Sequence, residues 1–298
     1  MKRRQFIETV GTLSVAGTLL PAFAASAKVS GREPFFKISV AQWSLHRQIR
    51  SGKLKPLDFA AKVKRDFDID AVEYVNQFFK DRAEDKNYLQ AMKERAQDNG
   101  VKNLLIMVDA EGPLASTDVK ERSRAVERHY KWVSAANYLG CHSLRVNLAG
   151  QSSVADWKLA AIEGLSRLSE FAKDHAVNII VENHGGYSSN GQYLAHVIRQ
   201  VAMKNCGTLP DFGNFGDYDR YQGMKDLMPF AKGVSAKSFD FDENGNETTI
   251  DFRRMLKIVR DNNYRGYIGI EYEGPDADED KGVRATQALL TRLAGEGL

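Results

Sequence analysis

"IIVENHGG", residues 179–186, is the stretch on which both the fold and the function turn. Three β-favouring apolar residues run into Glu182, Asn183 and His184, and Gly185 and Gly186 then stop the segment. A short apolar run closed by glycines reads as a buried strand. A carboxylate, an amide and an imidazole at the end of such a strand are costly unless each finds a partner. The polar ending is therefore either satisfied locally or one piece of a site.

Outward from this strand the sequence alternates in period. Upstream, strands are predicted over 36–45, 71–79, 101–110 and 142–149, separated by helical spacing over 56–67, 87–100 and about 119–140, with 153–176 leading into the strand at 178–184. Downstream, helices at 191–203, 221–231, 251–263 and 281–294 interleave with strands at 206–214, 233–241 and 267–274, and "DENGNE" (242–247) makes an Asn-Gly turn. Eight strand–helix alternations over roughly 250 residues predict an α/β fold, a single-domain (β/α)8 TIM barrel. A doubly wound open sheet is the rival, but "AQWSLHRQIRSGKL" (41–54) after the first strand carries no glycine-rich phosphate loop.

The bulk composition is that of a globular chain: 298 residues, 43% hydrophobic and 27% charged. The first 27 residues stand apart, with a basic start, an apolar middle too short for a comfortable span, and small residues at the end. Arg3 and Arg4 followed by Gln5, Phe6 and Ile7 resemble a twin-arginine export signal. The reading is a signal peptide over 1–27, cleaved after Ala24 or Ala27, a barrel domain over 28–298, a periplasmic or otherwise exported location, the twin-arginine machinery as a transient partner, and no stable membrane association once processed. Lys2, Arg3, Arg4 and Glu8 carry a net +2 of the chain's +3, so the mature domain is left at +1. That near-neutral balance, with no basic cluster among aromatics, argues against a nucleic-acid partner. Cys141 and Cys206 sit near the starts of different strands and read as two separate buried thiols.

Catalytic groups of a TIM barrel sit at the C-terminal ends of its strands. Those ends offer Gln42, Trp43 and His46 on strand one, Glu73 and Asn76 on strand two, and Asp109 on strand three. Strand four offers Arg145 and Asn147, strand five Glu182 and His184, and strand six Asp211 and Asn214. Strand seven offers Ser235, Lys237 and Asp240, and strand eight Glu271 and Glu273. Glu182, Asp211 and Glu271 each interrupt or follow an apolar strand. Three carboxylates converging on one mouth need a cation or raised pKa values, and an oxygen-rich set suits Mg²⁺ or Mn²⁺. The bland alternative is a set of barrel-end carboxylates neutralised by Arg and Lys.

"VEN" in strand five, "PDFGN" in strand six and "IGIEYEG" in strand eight resemble the xylose isomerase-like barrels, known broadly as sugar phosphate isomerases/epimerases. The resemblance spans the whole mature chain. It implies that Glu182, Asp211 and Glu271 bind a divalent metal, Mn or Mg with Zn or Co as alternatives, and that no organic cofactor is needed. It also implies that Glu182 and Glu271 double as the acid/base pair that moves a proton on a carbon next to a carbonyl, with Lys237 a further catalytic candidate. Trp43, Glu73, Arg145, His184 and Asn214 are the candidate substrate-binding residues, the substrate being a small carbohydrate.

In that family a His in a "V-H-V-K-D"-like segment of strand seven is a fourth ligand; here "VSAKS" places Ser235 there. The site is then completed by water, by His184, or by the charge of Lys237. Export makes an unphosphorylated sugar or keto-sugar the expected substrate of an isomerase or epimerase. A lyase acting on a keto-glycoside and a non-catalytic sugar-binding barrel are the alternatives. An endonuclease IV-like phosphodiesterase would need a histidine-rich zinc cluster and a basic face, and the strand ends supply neither.

Overall fold

The computed structural model describes residues 34–297; the signal-peptide reading of residues 1–27 lies outside them. Eight parallel strands follow one another around the sheet: β1 (Lys37–Ala41), β2 (Ala71–Val75), β3 (Lys102–Met107), β4 (Ser143–Val146), β5 (Asn178–Glu182), β6 (Cys206–Leu209), β7 (Val234–Ser238) and β8 (Tyr267–Tyr272). The order is β6-β5-β4-β3-β2-β1-β8-β7. The sheet closes on itself between its ends: Asp211 bridges Ser235 in parallel, Ser235 N donates to Pro210 O at 2.9 Å, and Phe212 N donates to Ser235 O at 3.0 Å. This is the expected TIM barrel, and its closing seam runs through two of the candidate site residues.

Between the strands lie α1 (His46–Arg50), α2 (Phe59–Phe67), α3 (Lys86–Asp98), α4 (Val119–Leu139), α5 (Val154–Lys173), α6 (Gly191–Val201), α7 (Arg220–Leu227) and α8 (Phe252–Asp261), and α9 (Glu279–Gly295) ends the chain. Several begin on a side-chain cap. Asp118 accepts from Lys120 N and Glu121 N, Ser153 from Asp156 N, Asn190 from Tyr193 N and Asp251 from Arg254 N. Each cap is worth about 1 kcal/mol. The outward strand faces and the helices share one large core around Trp132, Trp157, Phe59 and Phe212. A smaller cluster fills the barrel interior, where Ala41, Val75, Leu105, Met107, Ile180 and Leu209 pack together with Trp43 and Phe78 against them. Cys141 and Cys206 are both buried and free.

The first two strands are shorter than their apolar runs predict. β1 stops at Ala41, and Gln42–Leu45 turn into a 3₁₀ helix. Side chains take over the strand's hydrogen bonding there. Gln42 Oε1 accepts from Val75 N at 3.0 Å. Ser44 Oγ donates to Ile270 O and accepts from Tyr272 N, both at 2.9 Å. β2 likewise gives way to a 3₁₀ turn over Asn76–Phe78.

Candidate active site

Strand alternation aims the key side chains inward. Ile180 and Glu182 share the inner face of β5, Leu209 and Asp211 that of β6, Ser235 and Lys237 that of β7, and Gly269 and Glu271 that of β8. Glu182, Asp211 and Glu271 are buried, at 0%, 0% and 4% exposure. One oxygen from each lies within 4.8 Å of the others.

Each carboxylate is held differently. Glu182 Oε1 accepts from Asn214 Nδ2 at 3.0 Å. Its Oε2 lies 2.8 Å from Arg145 Nε, an ion pair set off the hydrogen-bond axis, so neither atom has an aligned partner. Asp211 Oδ1 accepts from Gly213 N and Asn214 N, both at 2.8 Å, while its Oδ2 is buried without an aligned donor. Glu271 Oε2 accepts from Ser235 Oγ at 2.8 Å, and its Oε1 is 3.3 Å from Lys237 Nζ.

The electrostatics follow from this packing. Burial drives the Glu182 and Asp211 carboxyls well above the usual range, against the pull of Arg145 on the first and Lys237 on the second. Burial acts on Glu271 too, but Lys237 and the Ser235 hydrogen bond outweigh it and hold that carboxyl below its ordinary value. Lys237 is buried, and the surrounding carboxylates, Glu271 foremost, overcome the desolvation of its ammonium and keep it charged.

Above this floor opens a cavity of about 290 Å³, lined by Trp43, Val75, Gln77, Asp109, Arg145, Asn147, His184, Glu271 and Glu273. Arg145 spans floor and wall, with Nη1 2.7 Å from Asp109 Oδ1. Asp109 also accepts from Asn147 Nδ2 at 2.7 Å and from Gln77 Nε2 at 2.9 Å. Its carboxyl is half-buried, yet Arg145 and the Gln77 hydrogen bond outweigh the desolvation and bring it down to about 2.

The structure therefore gathers Glu182, Asp211, Glu271, Lys237, Arg145 and Asn214 into one network. Trp43 lines the cavity, but its ring is engaged. His46 stacks on it at 4.9 Å, Arg50 lies 4.8 Å from its centre, and Phe78 is 6.0 Å away. Its indole N–H donates to Glu273 Oε1. His184 stands exposed at the cavity rim and lies outside the carboxylate group. Glu73 sits one layer deeper, at 2% exposure, accepting from Ser39 Oγ at 2.6 Å. It fills the space left by Gly269, where a Cβ would lie 2.5 Å from its carboxylate. Gln77 is a site residue that no sequence pattern marks, and Asp109, Asn147 and Glu273, strand-end residues in the sequence, take their roles only from this cavity. The available signal was a polar residue two positions beyond an inward-facing one: Asn147 after Arg145, Glu273 after Glu271.

The donor chemistry suits a divalent cation. The cluster offers only oxygen ligands, two of its buried oxygens lack an aligned donor, and a hard or borderline ion satisfies such a set. Glu182, Asp211 and Glu271 would hold it.

Known proteins share parts of this sequence and its fold. Over 79 residues the chain is 45% identical to a C-glycoside deglycosidase alpha subunit from Arthrobacter globiformis, a match covering 24% of this chain and only 22% of that relative. Solved structures of similar fold include the IOLI protein with a bound zinc atom (TM-score 0.72, 13% identity, 88% of this chain and 99% of that one). Another is the 3-keto-D-glucoside 4-epimerase of E. coli (TM-score 0.68, 14% identity, 86% and 99%); at such identities the likeness is one of fold. A family model of xylose isomerase-like TIM barrels matches residues 61–293, and the chain belongs to that family.

Proposed function

We propose that this protein moves a proton on a carbon next to a carbonyl in an unphosphorylated sugar or keto-sugar, as an isomerase or epimerase, with a divalent ion held by Glu182, Asp211 and Glu271. The observation that carries this reading is the convergence of those three buried carboxylates, within 4.8 Å of one another, beneath a cavity at the small end of ligand-pocket sizes. Mn or Mg is the proposed ion, on the strength of the oxygen-only donor set; the zinc in a structure of similar fold makes Zn the competitor.

A bound ion would supply Lewis acidity toward the substrate's carbonyl. The chain's own groups do the rest. Glu182 takes the proton. Arg145 fixes its orientation, and Asn214 holds its other oxygen. Glu271, held by Lys237 and Ser235 on the same floor, is the second carboxylate, and the buried charge of Lys237 lies beside it. Asp109, Asn147 and Gln77 offer hydroxyl-binding groups above.

The cavity wall argues against a phosphorylated substrate. Its lining carries Asp109, Glu271 and Glu273 against Arg145 alone, and Arg145 is already paired with two carboxylates. We further propose a periplasmic or otherwise exported location and a barrel domain over 28–298, both on the strength of the signal-like sequence of residues 1–27.

A second reading is a lyase that expels the aglycone of a keto-glycoside after the same proton abstraction. The sequence match to a C-glycoside deglycosidase alpha subunit supports it. Incubation of the Mn²⁺-loaded protein with keto-sugars and keto-glycosides in D₂O, followed by NMR, tests both. Deuterium uptake with retention of the glycosidic group supports the isomerase or epimerase; uptake with aglycone release supports the lyase. Binding without exchange, unchanged by Glu182→Gln, would reduce the protein to a sugar-binding barrel.

A further inference from the structure

Lys237 lies between two carboxylates in different surroundings. Its Nζ is 3.3 Å from Glu271 Oε1 and 3.2 Å from Glu273 Oε1. Glu271 belongs to the buried cluster, whereas the Glu273 side chain is 30% exposed and opens to the cavity. The ammonium is thus shared almost evenly between floor and wall. Both oxygens of Glu271 are engaged by the chain, one by Lys237 and one by Ser235 Oγ. Glu182 Oε2 and Asp211 Oδ2, by contrast, have no aligned donor. Glu182 and Glu271 each face a cation, Arg145 and Lys237, and of the two Lys237 is the point charge on a flexible stem, able to move off its carboxylate.

We propose that Lys237 is an internal cation that competes with the divalent ion for Glu271 and withdraws to Glu273 when the ion binds. This rests on the metal-binding reading above and deepens it. In the ion-free cluster the ammonium relieves the mutual repulsion of buried carboxylates. A divalent ion at the same oxygens repels it strongly in a poorly solvated site, and Glu273 offers a second partner within reach, with no large movement. Glu273 is held ready by the Trp43 indole N–H. The stem of Lys237 is confined by the close approach of Gly213, where a Cβ would lie 2.7 Å from Lys237 Cγ, so the head swings while the stem stays. Two consequences follow: the ion is held more loosely than three buried carboxylates alone would hold it, and Glu273 tunes occupancy through Lys237 rather than by direct ligation.

The test is Mn²⁺ binding by the chelator-stripped full chain, read by calorimetry and by the EPR signal of free Mn²⁺, neither of which depends on turnover. Lys237→Met is expected to tighten Mn²⁺ binding at least tenfold. Glu273→Gln is expected to weaken it at least threefold in the wild-type background and to have little effect in the Lys237→Met background, because Glu273 acts through Lys237. Equal or weaker binding by Lys237→Met, or a Glu273→Gln effect of the same size in both backgrounds, overturns the proposal. Should Lys237→Met not fold, Glu273→Gln alone decides: affinity unchanged or raised overturns it. Mn²⁺ binding to neither the wild type nor Lys237→Met removes the metal reading itself. Binding by the wild type with no gain in Lys237→Met removes only the competition.

Discussion

Asn183 and Asp211 form a reciprocal pair across β5 and β6. The Asn183 Nδ2 donates to Asp211 O at 3.0 Å, and Asp211 N donates to Asn183 Oδ1 at 2.8 Å. The side-chain amide stands in for a backbone peptide and fixes Asp211 just where the ladder has ended. The same device recurs on the other side of the barrel. Asn76 Nδ2 donates to Asp109 O, and Asp109 N donates to Asn76 Oδ1, both at 3.0 Å. In each case an Asn just past a strand places an Asp of the next strand, one on the cavity floor and one on its wall.

Asn183→Ala therefore strands two backbone groups of a buried residue, and the expected loss is roughly 2–4 kcal/mol in urea unfolding. It should also weaken Mn²⁺ binding, since Asp211 loses its anchor. Asn76→Ala is expected to cost a similar amount of stability while leaving Mn²⁺ affinity intact. Equal effects of the two substitutions on Mn²⁺ would show that the amide does not position Asp211 specifically.

Glu73 makes stability depend on pH. Burial pushes its carboxyl from 4.5 up to about 7, against the Ser39 hydrogen bond. Below about pH 4.5 the group is protonated in both states and contributes nothing. Between that value and about 7 the unfolded chain ionises while the folded one does not, so stability falls as pH rises; above about 7 the penalty is constant. Glu73→Gln removes the penalty. The variant should be more stable than wild type at pH 8, by up to about 3 kcal/mol, and its advantage should shrink steadily toward pH 5 in urea titrations. An advantage that does not vary with pH would mean that Glu73 is already ionised in the fold.

Arg145 neutralises Glu182 on the floor and Asp109 on the wall at once, at 2.8 and 2.7 Å. Arg145→Met leaves both carboxylates without their cation and is expected to cost about 3–5 kcal/mol. Arg145→Lys restores the charge but reaches only one partner, because an ammonium has no fork. Its thermal midpoint should fall between those of the wild type and the Met variant. A Lys variant as stable as the wild type would reduce the role of Arg145 to charge alone.

Much of this was legible in the sequence, for a physical reason. Strand and helix periods reveal themselves in any chain that buries one face of each element, and a carboxylate at the end of an apolar strand, as at Glu182 and Asp211, stands out against its neighbours. What stayed hidden depends on a second strand. Glu73 reads as a mouth residue until Gly269, nearly two hundred positions away, is seen to leave the hole that it fills. The wall network of Asp109, Asn147 and Gln77 joins three separate loops, none unusual alone. The early ends of β1 and β2 came from Gln42, Ser44 and Asn76 replacing backbone partners with side chains, which apolar patterning does not register.

Removal of a bound divalent ion should be visible in stability before any substrate is known. A ligand that binds only the folded state at a hundred times its Kd adds about 2.7 kcal/mol. Treatment with chelator should accordingly lower the thermal midpoint by several degrees, and Mn²⁺ should restore it. The shift should be lost in Asp211→Asn, whose amide is a weak ligand. A midpoint indifferent to both chelator and Mn²⁺ would argue for a cluster neutralised by Lys237 and Arg145 alone.

Gly213 gives the sharpest separation of stability from metal affinity. No left-handed backbone requires glycine there, so alanine can adopt the local conformation. The obstacle is the Lys237 stem, with Cγ 2.7 Å and Cβ 3.2 Å from the added methyl. Those atoms lie close to the β7 backbone and cannot swing aside as the end of a long side chain could. Gly213→Ala must either open the seam between β6 and β7 or force Lys237 into another rotamer, and overpacking of this kind costs about 1–3 kcal/mol. If Lys237 moves, its hold on Glu271 is broken, and Mn²⁺ should bind tighter as it does to Lys237→Met. The expected result is a lower urea midpoint for the stripped protein together with a higher Mn²⁺ affinity. A fall in both would place the damage at the seam and the displaced Asp211 rather than at the ammonium.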